Sequence, residues 1–131
     1  MVGELQRITY VEDEPDIREV ARIGLEMLGG FDVDVCVNGL DAIEKAPKFN
    51  PDLVLLDVMM PGMDGVETFR ALREIPQLAK TPIIFMTAKA QPGEVERYTT
   101  LGCAGVIVKP FDPVTLPEQV RSIWSRQAGE G

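Results

Sequence analysis

The chain has 131 residues, a formal net charge of −8 and no histidine. Its length predicts a single domain, residues 1–131, with a sizeable hydrophobic core. The acidic balance disfavours direct binding to nucleic acid, and the lack of histidine excludes Ser-His-Asp and Cys-His catalysis, histidine metal sites and a role as a histidine phosphodonor.

The sequence contains no pattern typical of a membrane-spanning helix or a secretion signal. No apolar run approaches the ~20 residues of a membrane span, and the N-terminus lacks the apolar core of a signal peptide. Cys36 and Cys103 are far apart and form no CxxC pattern, which disfavours a disulfide. We therefore predict a cytoplasmic protein that does not insert into membranes.

The first part of the chain predicts two strands and two helices. Residues 6–11 form the first strand, and Pro15 suits the first position of a helix that a Gly-Gly pair ends. Residues 31–37 alternate apolar and polar side chains, as an edge strand does. Asn38 can cap the second helix, and Pro47 should bend or end it early. The predicted apolar faces contain Val20, Ala21, Gly24, Leu25 and Leu28 in the first helix, and Leu40, Ile43 and Ala46 in the second.

Three further strands are predicted, and each ends at a residue able to take part in chemistry. The first of them is apolar throughout, which indicates a strand buried on both faces. Pro-Gly and Asp-Gly pairs then mark a loop. The strands are residues 53–56, 83–86 and 105–108, and they end at Asp57, Thr87 and Lys109 respectively.

A helix is predicted after each of these strands. Asp64 can cap the third helix, with Glu67 as the partner in a near capping box. Pro92 starts the fourth helix, and Asp112 and Pro113 cap and begin the fifth. Alternating strands and helices with short connections predict the α/β class, with a single doubly wound parallel sheet. The inward-facing residues should be Val66, Phe69 and Leu72 in the third helix, Val95, Tyr98 and Leu101 in the fourth, and Leu116, Val120, Ile123 and Trp124 in the fifth.

The carboxyl ends of parallel strands meet at one edge of a sheet, where α/β proteins bind ligands. That edge would collect the carboxylates of Glu12, Asp13 and Asp57 with the hydroxyl of Thr87 and the ammonium of Lys109. Three crowded carboxylates repel one another unless a cation lies among them, and such hard oxygen ligands indicate Mg²⁺ or Mn²⁺. The hydroxyl and ammonium suit phosphoryl oxygens, and a neighbouring carboxylate can act as a nucleophile.

Four motifs in order resemble the receiver domain of bacterial two-component response regulators. They are residues 11–14 (VEDE), 55–65 (LLDVMMPGMDG), 86–88 (MTA) and 108–111 (VKPF). The resemblance extends over about residues 6–126. It implies a flavodoxin-like sheet of five strands in the order 2-1-3-4-5 with five helices, and a stand-alone, chemotaxis-regulator-like protein.

The resemblance also implies a role for each site residue. Asp57 would accept the phosphoryl group. Asp13 and Asp57 would bind Mg²⁺ together with the backbone carbonyl of Met59, and Glu12 would hold a metal-bound water. The Lys109–Pro110 peptide bond would be cis. The phosphoryl oxygens would be contacted by Thr87, by Lys109 and by the backbone N–H of Ala88.

The implied partners follow from the same resemblance. The donor would be a phosphohistidine on a sensor histidine kinase or a histidine phosphotransfer protein. Phosphorylation would switch a docking surface for a downstream protein that the sequence does not identify. The chain would be a phosphoacceptor whose transfer and dephosphorylation chemistry is self-directed, rather than an enzyme. No output domain follows Arg126, so we expect either a stand-alone receiver or part of a longer protein.

Three positions bear on how the switch works. The family commonly carries an aromatic residue three positions before the lysine, where this chain has Val106. A rotating-ring switch is therefore not expected, although a movement of Thr87 can still shift the fourth helix. Met59 and Lys89 flank the site and should tune the lifetime of the phosphoryl group.

Four alternative functions fit the residues less well. An aspartate-based phosphohydrolase needs a second acid two residues after the nucleophile, where Met59 stands. An EF-hand in the register that starts at Asp34 would place Lys45 where the bidentate glutamate must be. A nucleotide binder would need a GxGxxG or GxxxxGK[ST] motif. A purely structural acidic domain would leave the coincidence of five chemical groups at one edge unexplained.

Overall fold

The computed structural model describes residues 4–88 and 91–129. Within them, five parallel strands form one sheet in the order β2-β1-β3-β4-β5. This α/β architecture and strand order confirm the predicted flavodoxin-like fold. The strands are β1 (Arg7–Val11), β2 (Asp32–Cys36), β3 (Leu53–Asp57), β4 (Ile83–Thr87) and β5 (Gly105–Val108).

Helices cover both faces of the sheet. The second, third and fourth helices bury apolar side chains in a core on one face, and the first and fifth helices do so on the other. The central strand β3 is buried along its whole length between these two cores, as its run of apolar residues predicts. The helices are α1 (Pro15–Ile23), α2 (Gly39–Phe49), α3 (Gly65–Arg73), α4 (Pro92–Leu101) and α5 (Leu116–Gly129). No helix in the described ranges is both long and apolar enough to cross a membrane.

The register of the strands aligns their carboxyl ends. Val11 pairs with Leu56, so the residues that follow β1 lie beside the last residue of β3. Asp57 then pairs with Met86 of β4, and Thr87 pairs with Val108 of β5. The edge at which these strands end is therefore continuous from β1 to β5.

The apolar face predicted for the first helix is only partly buried. After Ile23 the chain forms a π-helical turn, Gly24–Leu28, in which the N–H of Gly29 donates to the carbonyl of Gly24. A π-helical turn holds one residue more than an α-helical turn, so the residues at its end are rotated relative to an α-helix. Leu25 remains in the core, whereas Leu28 points outward. Val20 is also exposed, because it borders a surface cleft rather than the core.

The second helix continues past Pro47 to Phe49, so of the two predicted effects of the proline, a bend or an early end, the early end is wrong. The proline lies in the last turn, so only two helical residues follow the point at which its missing N–H and its ring disturb the helix. The helix ends at Asn50, which has a left-handed backbone conformation and donates its N–H to the carbonyl of Ala46. Leu40, predicted to face inward, is exposed in the first turn of α2.

The fifth helix begins three residues later than predicted. Asp112 does act as a capping side chain, but it accepts a hydrogen bond from the N–H of Val114, within a turn that precedes the helix. The carbonyl of Asp112 accepts from Leu116, the first helical residue. The third helix begins as predicted, with a complete capping box between Asp64 and Glu67.

Candidate functional site

The residues predicted to form the site do lie at the carboxyl edge of the sheet. Glu12 and Asp13 follow β1, Asp57 is the last residue of β3, Thr87 is the last residue of β4, and Lys109 follows β5. Parallel pairing in the observed register places these positions side by side. The fold thus brings together side chains that are up to 97 positions apart in the sequence.

Three carboxylates form a compact cluster at this edge. Glu12, Asp13 and Asp57 each offer an oxygen, and these atoms all lie within 4.8 Å of one another. Glu12 is fully buried, Asp57 is 2% exposed and Asp13 is half-buried. Oxygen donors that are this close and carry like charge fit a small, hard divalent cation such as Mg²⁺.

The ammonium of Lys109 lies between two of the carboxylates. Its Nζ is 2.9 Å from Oε1 of Glu12 and 3.2 Å from Oδ1 of Asp57, and the side chain is only 14% exposed. Burial lowers the pKa of Lys109, but the hydrogen bonds and charges of the two acids outweigh burial and raise that pKa above its ordinary value. Lys109 therefore remains a cation and offsets part of the negative charge.

The carboxyl group of Asp57 has a pKa well above its ordinary value. Burial is the main cause that raises its pKa, and the charge of Glu12 adds to it. Lys109 opposes both effects, and the resulting pKa is about 7. A positive charge placed close to Asp57 would favour the ionised, nucleophilic form. The site thus contains a buried carboxylate whose ionised form a second cation, in addition to Lys109, would stabilise.

Glu12 is held at both of its carboxylate oxygens. Oε1 accepts from Lys109 and from the phenol of Tyr10, the latter at 3.3 Å. Oε2 accepts from the backbone N–H of Glu14, also at 3.3 Å. The guanidinium of Arg18 donates to the backbone carbonyl of Glu12 at 2.8 Å. The acid therefore has a fixed orientation within the cluster.

Tyr10 also contacts the site, although its place in the sequence was not taken to predict this. The tyrosine is fully buried in β1, and burial, followed by the neighbouring carboxylates, raises the pKa of its phenol. The phenol therefore stays protonated and acts as a hydrogen-bond donor. The sequence did contain an indication of this contact. Residues two apart in a strand point to the same side of the sheet, so Tyr10 is aligned with Glu12.

The remaining residues that were predicted to belong to the site differ in their burial. Thr87 is buried, and its carbonyl accepts the N–H of Lys109 at 2.8 Å. Ala88 is exposed in the bend after β4, and Met59 is exposed in the loop after β3. The peptide bond between Lys109 and Pro110 is cis, as the resemblance implied. The prediction for Lys89 falls outside the described residues.

A glycine at the start of α3 lets the loop after β3 fold tightly against Asp57. A Cβ atom on Gly65 would lie 2.6 Å from the carbonyl oxygen of Asp57 and 2.6 Å from Cα of Val58. No side chain fits that space without moving backbone atoms. Gly65 donates its N–H to the carbonyl of Val58 at 2.9 Å. The loop and the end of β3 are thereby held in one arrangement.

An apolar cleft of about 480 Å³ lies beside Lys109. One wall is formed by α1, where Val20 is 45% exposed, and the other by the segment that follows β5, where Phe111 is half-buried. Exposed apolar surface next to charged groups is typical of a surface that binds another protein. The cleft is lined by Asp16, Ile17, Val20, Ala88, Lys109, Pro110 and Phe111.

Comparison with known proteins gives consistent results. A family model described as "Response regulator receiver domain" matches residues 8–121. Among solved structures, the chemotaxis protein CheY4 of Vibrio cholerae superimposes with a TM-score of 0.85 at 31% sequence identity, covering 92% of this chain and 99% of that one. A response regulator from Desulfuromonas acetoxidans gives a TM-score of 0.81 at 27% identity, covering 92% of this chain and 98% of the other.

Curated relatives share the sequence over part of their length. Response regulator Rre1 of Synechocystis is 38% identical over 121 residues, which make up 92% of this chain and 52% of the relative. The probable transcriptional regulator ycf29 of Porphyra purpurea is 40% identical over 99 residues, or 76% of this chain and 47% of the relative. The chain therefore spans about half the length of the curated relatives it matches.

Proposed function

The chain belongs to the response regulator receiver domain family, and from that membership we propose that it accepts a phosphoryl group on Asp57 in a magnesium-dependent reaction. Receiver domains of response regulators serve two-component signal transduction, as the four sequence motifs predicted. The role of each residue, the metal and the partners are our proposal, supported by the arrangement of the site.

One observation carries the proposal. Carboxylate oxygens of Glu12, Asp13 and Asp57 lie within 4.8 Å of one another, and the ammonium of Lys109, which follows β5 at the same edge of the sheet, contacts two of these acids. An ion pair that only stabilised the fold would need one acid for one lysine. Three acids leave an excess of negative charge that a divalent cation can offset, and the same cation would also offset the charge of an incoming phosphoryl group.

The metal would be held by the carboxylates of Asp13 and Asp57 and by the carbonyl of Met59, with Glu12 reaching it through water. When bound, Mg²⁺ supplies positive charge that offsets the charge of the transferred phosphoryl group. Mn²⁺ has the same preference for oxygen ligands. Because the chain provides few ligands, water would fill several of the positions around the ion.

In the transfer step, an ionised oxygen of Asp57 attacks the phosphorus atom of a phosphohistidine. The new O–P bond forms as the N–P bond breaks, and the imidazole leaves with the electron pair of that bond and takes up a proton. Lys109 and Thr87, with the N–H of Ala88, bind the phosphoryl oxygens. The product is an acyl phosphate, which water later cleaves at phosphorus to restore the carboxylate.

The donor is a phosphohistidine on a sensor histidine kinase or a histidine phosphotransfer protein, since the chain contains no histidine of its own. The chain acts as a phosphoacceptor that promotes its own phosphorylation and dephosphorylation, rather than as an enzyme that turns over a separate substrate. Its signal passes in the cytoplasm to a downstream protein.

Readout of the phosphoryl group passes through Thr87 to α4. The ring of Tyr98, a buried residue of α4, packs on Phe85 with the ring centroids 5.0 Å apart. Its phenol donates to Glu94 at 3.1 Å and interacts with the hydroxyl of Thr87. When Thr87 turns toward the phosphoryl group, this contact changes and α4 responds. Val106 offers no ring for this purpose, so the aromatic contact comes from α4.

The phosphohistidine protein docks on the apolar cleft beside Lys109. The cleft borders the site, so a partner bound there brings its phosphohistidine close to Asp57. Replacing Val20 by aspartate is expected to slow transfer from a phosphohistidine protein by about tenfold or more, because the new carboxylate would be desolvated in the interface. Transfer is measured as loss of label from a charged histidine phosphotransfer protein that labels the wild type.

Two controls separate docking from chemistry. Labelling of Val20→Asp by acetyl phosphate should match that of the wild type, because a small donor needs no docking surface. Met27→Asp introduces the same charge at a residue that is 78% exposed and lies outside the cleft, and it should leave both reactions unchanged. Equal slowing by both variants, or none by Val20→Asp, would show that the partner docks elsewhere.

The proposed function is tested by incubating the protein with acetyl phosphate or phosphoramidate, with and without Mg²⁺, and measuring its intact mass. The expected result is the gain of one phosphoryl group, only with Mg²⁺, that hydroxylamine removes because the bond is an acyl phosphate. No gain of mass with either donor, or a label that resists hydroxylamine, would refute the proposal.

A further inference from the structure

We propose that Tyr10 is a positioning residue that fixes the carboxylate of Glu12 for magnesium binding. The inference rests on the proposed function, since it concerns the same metal site. Tyr10 lies in β1, behind the carboxylate cluster. It is neither one of the three clustered acids nor the lysine that contacts them.

The geometry gives Tyr10 a specific partner. Its phenol donates to Oε1 of Glu12 at 3.3 Å, the same oxygen that Lys109 contacts at 2.9 Å. Tyr10 and Glu12 are both fully buried, so water does not compete for this hydrogen bond. The phenol is anchored in β1, a central strand with partners on both sides, and its position is therefore fixed by the sheet.

Tyr10 already donates to Glu12 before any phosphoryl group is present, and this donor matters most when the phosphoryl group arrives. Lys109 then has to contact the phosphoryl oxygens, and its contact with Glu12 weakens. Oε1 of Glu12 would lose its cationic donor while the acid stays buried. A buried carboxylate oxygen without a donor is costly, even though Oε2 still accepts from Glu14, and the side chain would turn away from its place. Tyr10 keeps Oε1 hydrogen-bonded, so Glu12 stays directed toward the metal-bound water.

The neighbouring residue supplies a matched control. Thr9 is also fully buried in β1, and successive residues of a strand point to opposite faces. Among the described residues, its hydroxyl oxygen is the buried side-chain polar atom without a hydrogen-bond partner. Thr9→Val removes a buried hydroxyl that supports nothing at the site, whereas Tyr10→Phe removes one that contacts Glu12.

The test measures Mg²⁺ affinity by titration and the rate of labelling by acetyl phosphate as a function of Mg²⁺ concentration. For Tyr10→Phe we expect Mg²⁺ to bind about three- to tenfold more weakly, which lies at or below the usual range for outer-shell partners of a metal. The rate of labelling should return to the wild-type value at saturating Mg²⁺. A residue with a merely structural role would lower the rate at every Mg²⁺ concentration.

Thr9→Val should show wild-type Mg²⁺ affinity. The inference is overturned if Tyr10→Phe binds Mg²⁺ as tightly as the wild type, if its rate stays low at saturating Mg²⁺, or if Thr9→Val weakens binding as much. Failure of the proposed function itself gives a different result, because the wild type would then neither bind Mg²⁺ at the cluster nor accept a phosphoryl group.

Discussion

The Asp57→Asn variant is expected to accept no phosphoryl group from acetyl phosphate, from phosphoramidate or from a phosphohistidine protein. The amide has nearly the shape of the carboxylate but lacks the charged oxygen that attacks phosphorus. The fold should persist, because burial already disfavours the charged form of this carboxyl group and raises its pKa to about 7. A neutral amide does not carry that cost. Intact mass after incubation with donor and Mg²⁺ measures the result.

A matched control is Asp52→Asn, which lies just before the same strand at the opposite edge of the sheet. Asp52 uses Oδ2 to accept the backbone N–H groups of Gln6 and Arg7, and an asparagine oxygen can still accept them. This variant should be labelled like the wild type. Labelling of Asp57→Asn at the wild-type rate would show that another residue is the nucleophile.

Replacing Asp13 by alanine is expected to weaken Mg²⁺ binding by more than about tenfold, because a direct ligand is worth at least as much as an outer-shell partner. Labelling at low Mg²⁺ should fall in parallel. In the presence of a chelator the variant should melt at a higher temperature than the wild type, because it relieves repulsion among carboxylates within 4.8 Å. Calorimetric titration and thermal unfolding provide the two measurements.

Asp16→Ala is the control for net charge. Asp16 is an exposed acid in the first turn of α1 and does not belong to the carboxylate cluster. It should retain wild-type Mg²⁺ affinity and lose a little stability, because an acid at that position favours the helix dipole. If Asp13→Ala binds Mg²⁺ normally, or melts no higher than the wild type in chelator, then Asp13 is neither a ligand nor a source of repulsion.

The sequence predicted the fold and the position of the chemical groups for one physical reason. Each strand of a parallel sheet ends at the same edge, so a polar residue at the end of each strand predicts a cluster without any knowledge of distances. Asp57 at the end of a fully apolar run is the clearest case. Lys109 follows β5 and Glu12 follows β1, and these strands are three positions apart in the sheet. Their contact therefore depends on the length of the lysine side chain.

Local features that depend on neighbouring elements were predicted less well. Gly24 is the first residue of the π-helical turn and packs against Pro113, whose carbonyl oxygen would lie 2.6 Å from a Cβ atom at that position. The contact joins the turn after α1 to the segment before α5, and nothing in either segment alone predicts it. Leu28, the last residue of the turn, points outward. Pro47 is tolerated because α2 ends within two residues of it.

The hydrogen bond between Tyr10 and Glu12 shows what periodicity can and cannot predict. Alternation along β1 aligns the two side chains, but the depth of burial and the distance between phenol and carboxylate come from the packed sheet. A tyrosine in a strand also has an ordinary interpretation as a core residue, since its ring buries a large apolar area. Only its contact with an acid of the site indicates a functional role.

The most direct test of phosphoryl transfer to Asp57 is to locate the acyl phosphate in the wild-type chain. The protein is labelled by acetyl phosphate with Mg²⁺, reduced with borohydride, which converts a phosphorylated aspartate into homoserine, and mapped by peptide mass spectrometry. We expect conversion at Asp57 alone, and none when Mg²⁺ is chelated. Conversion at Glu12, Asp13 or any other acid, or equal conversion without Mg²⁺, would contradict the proposed mechanism.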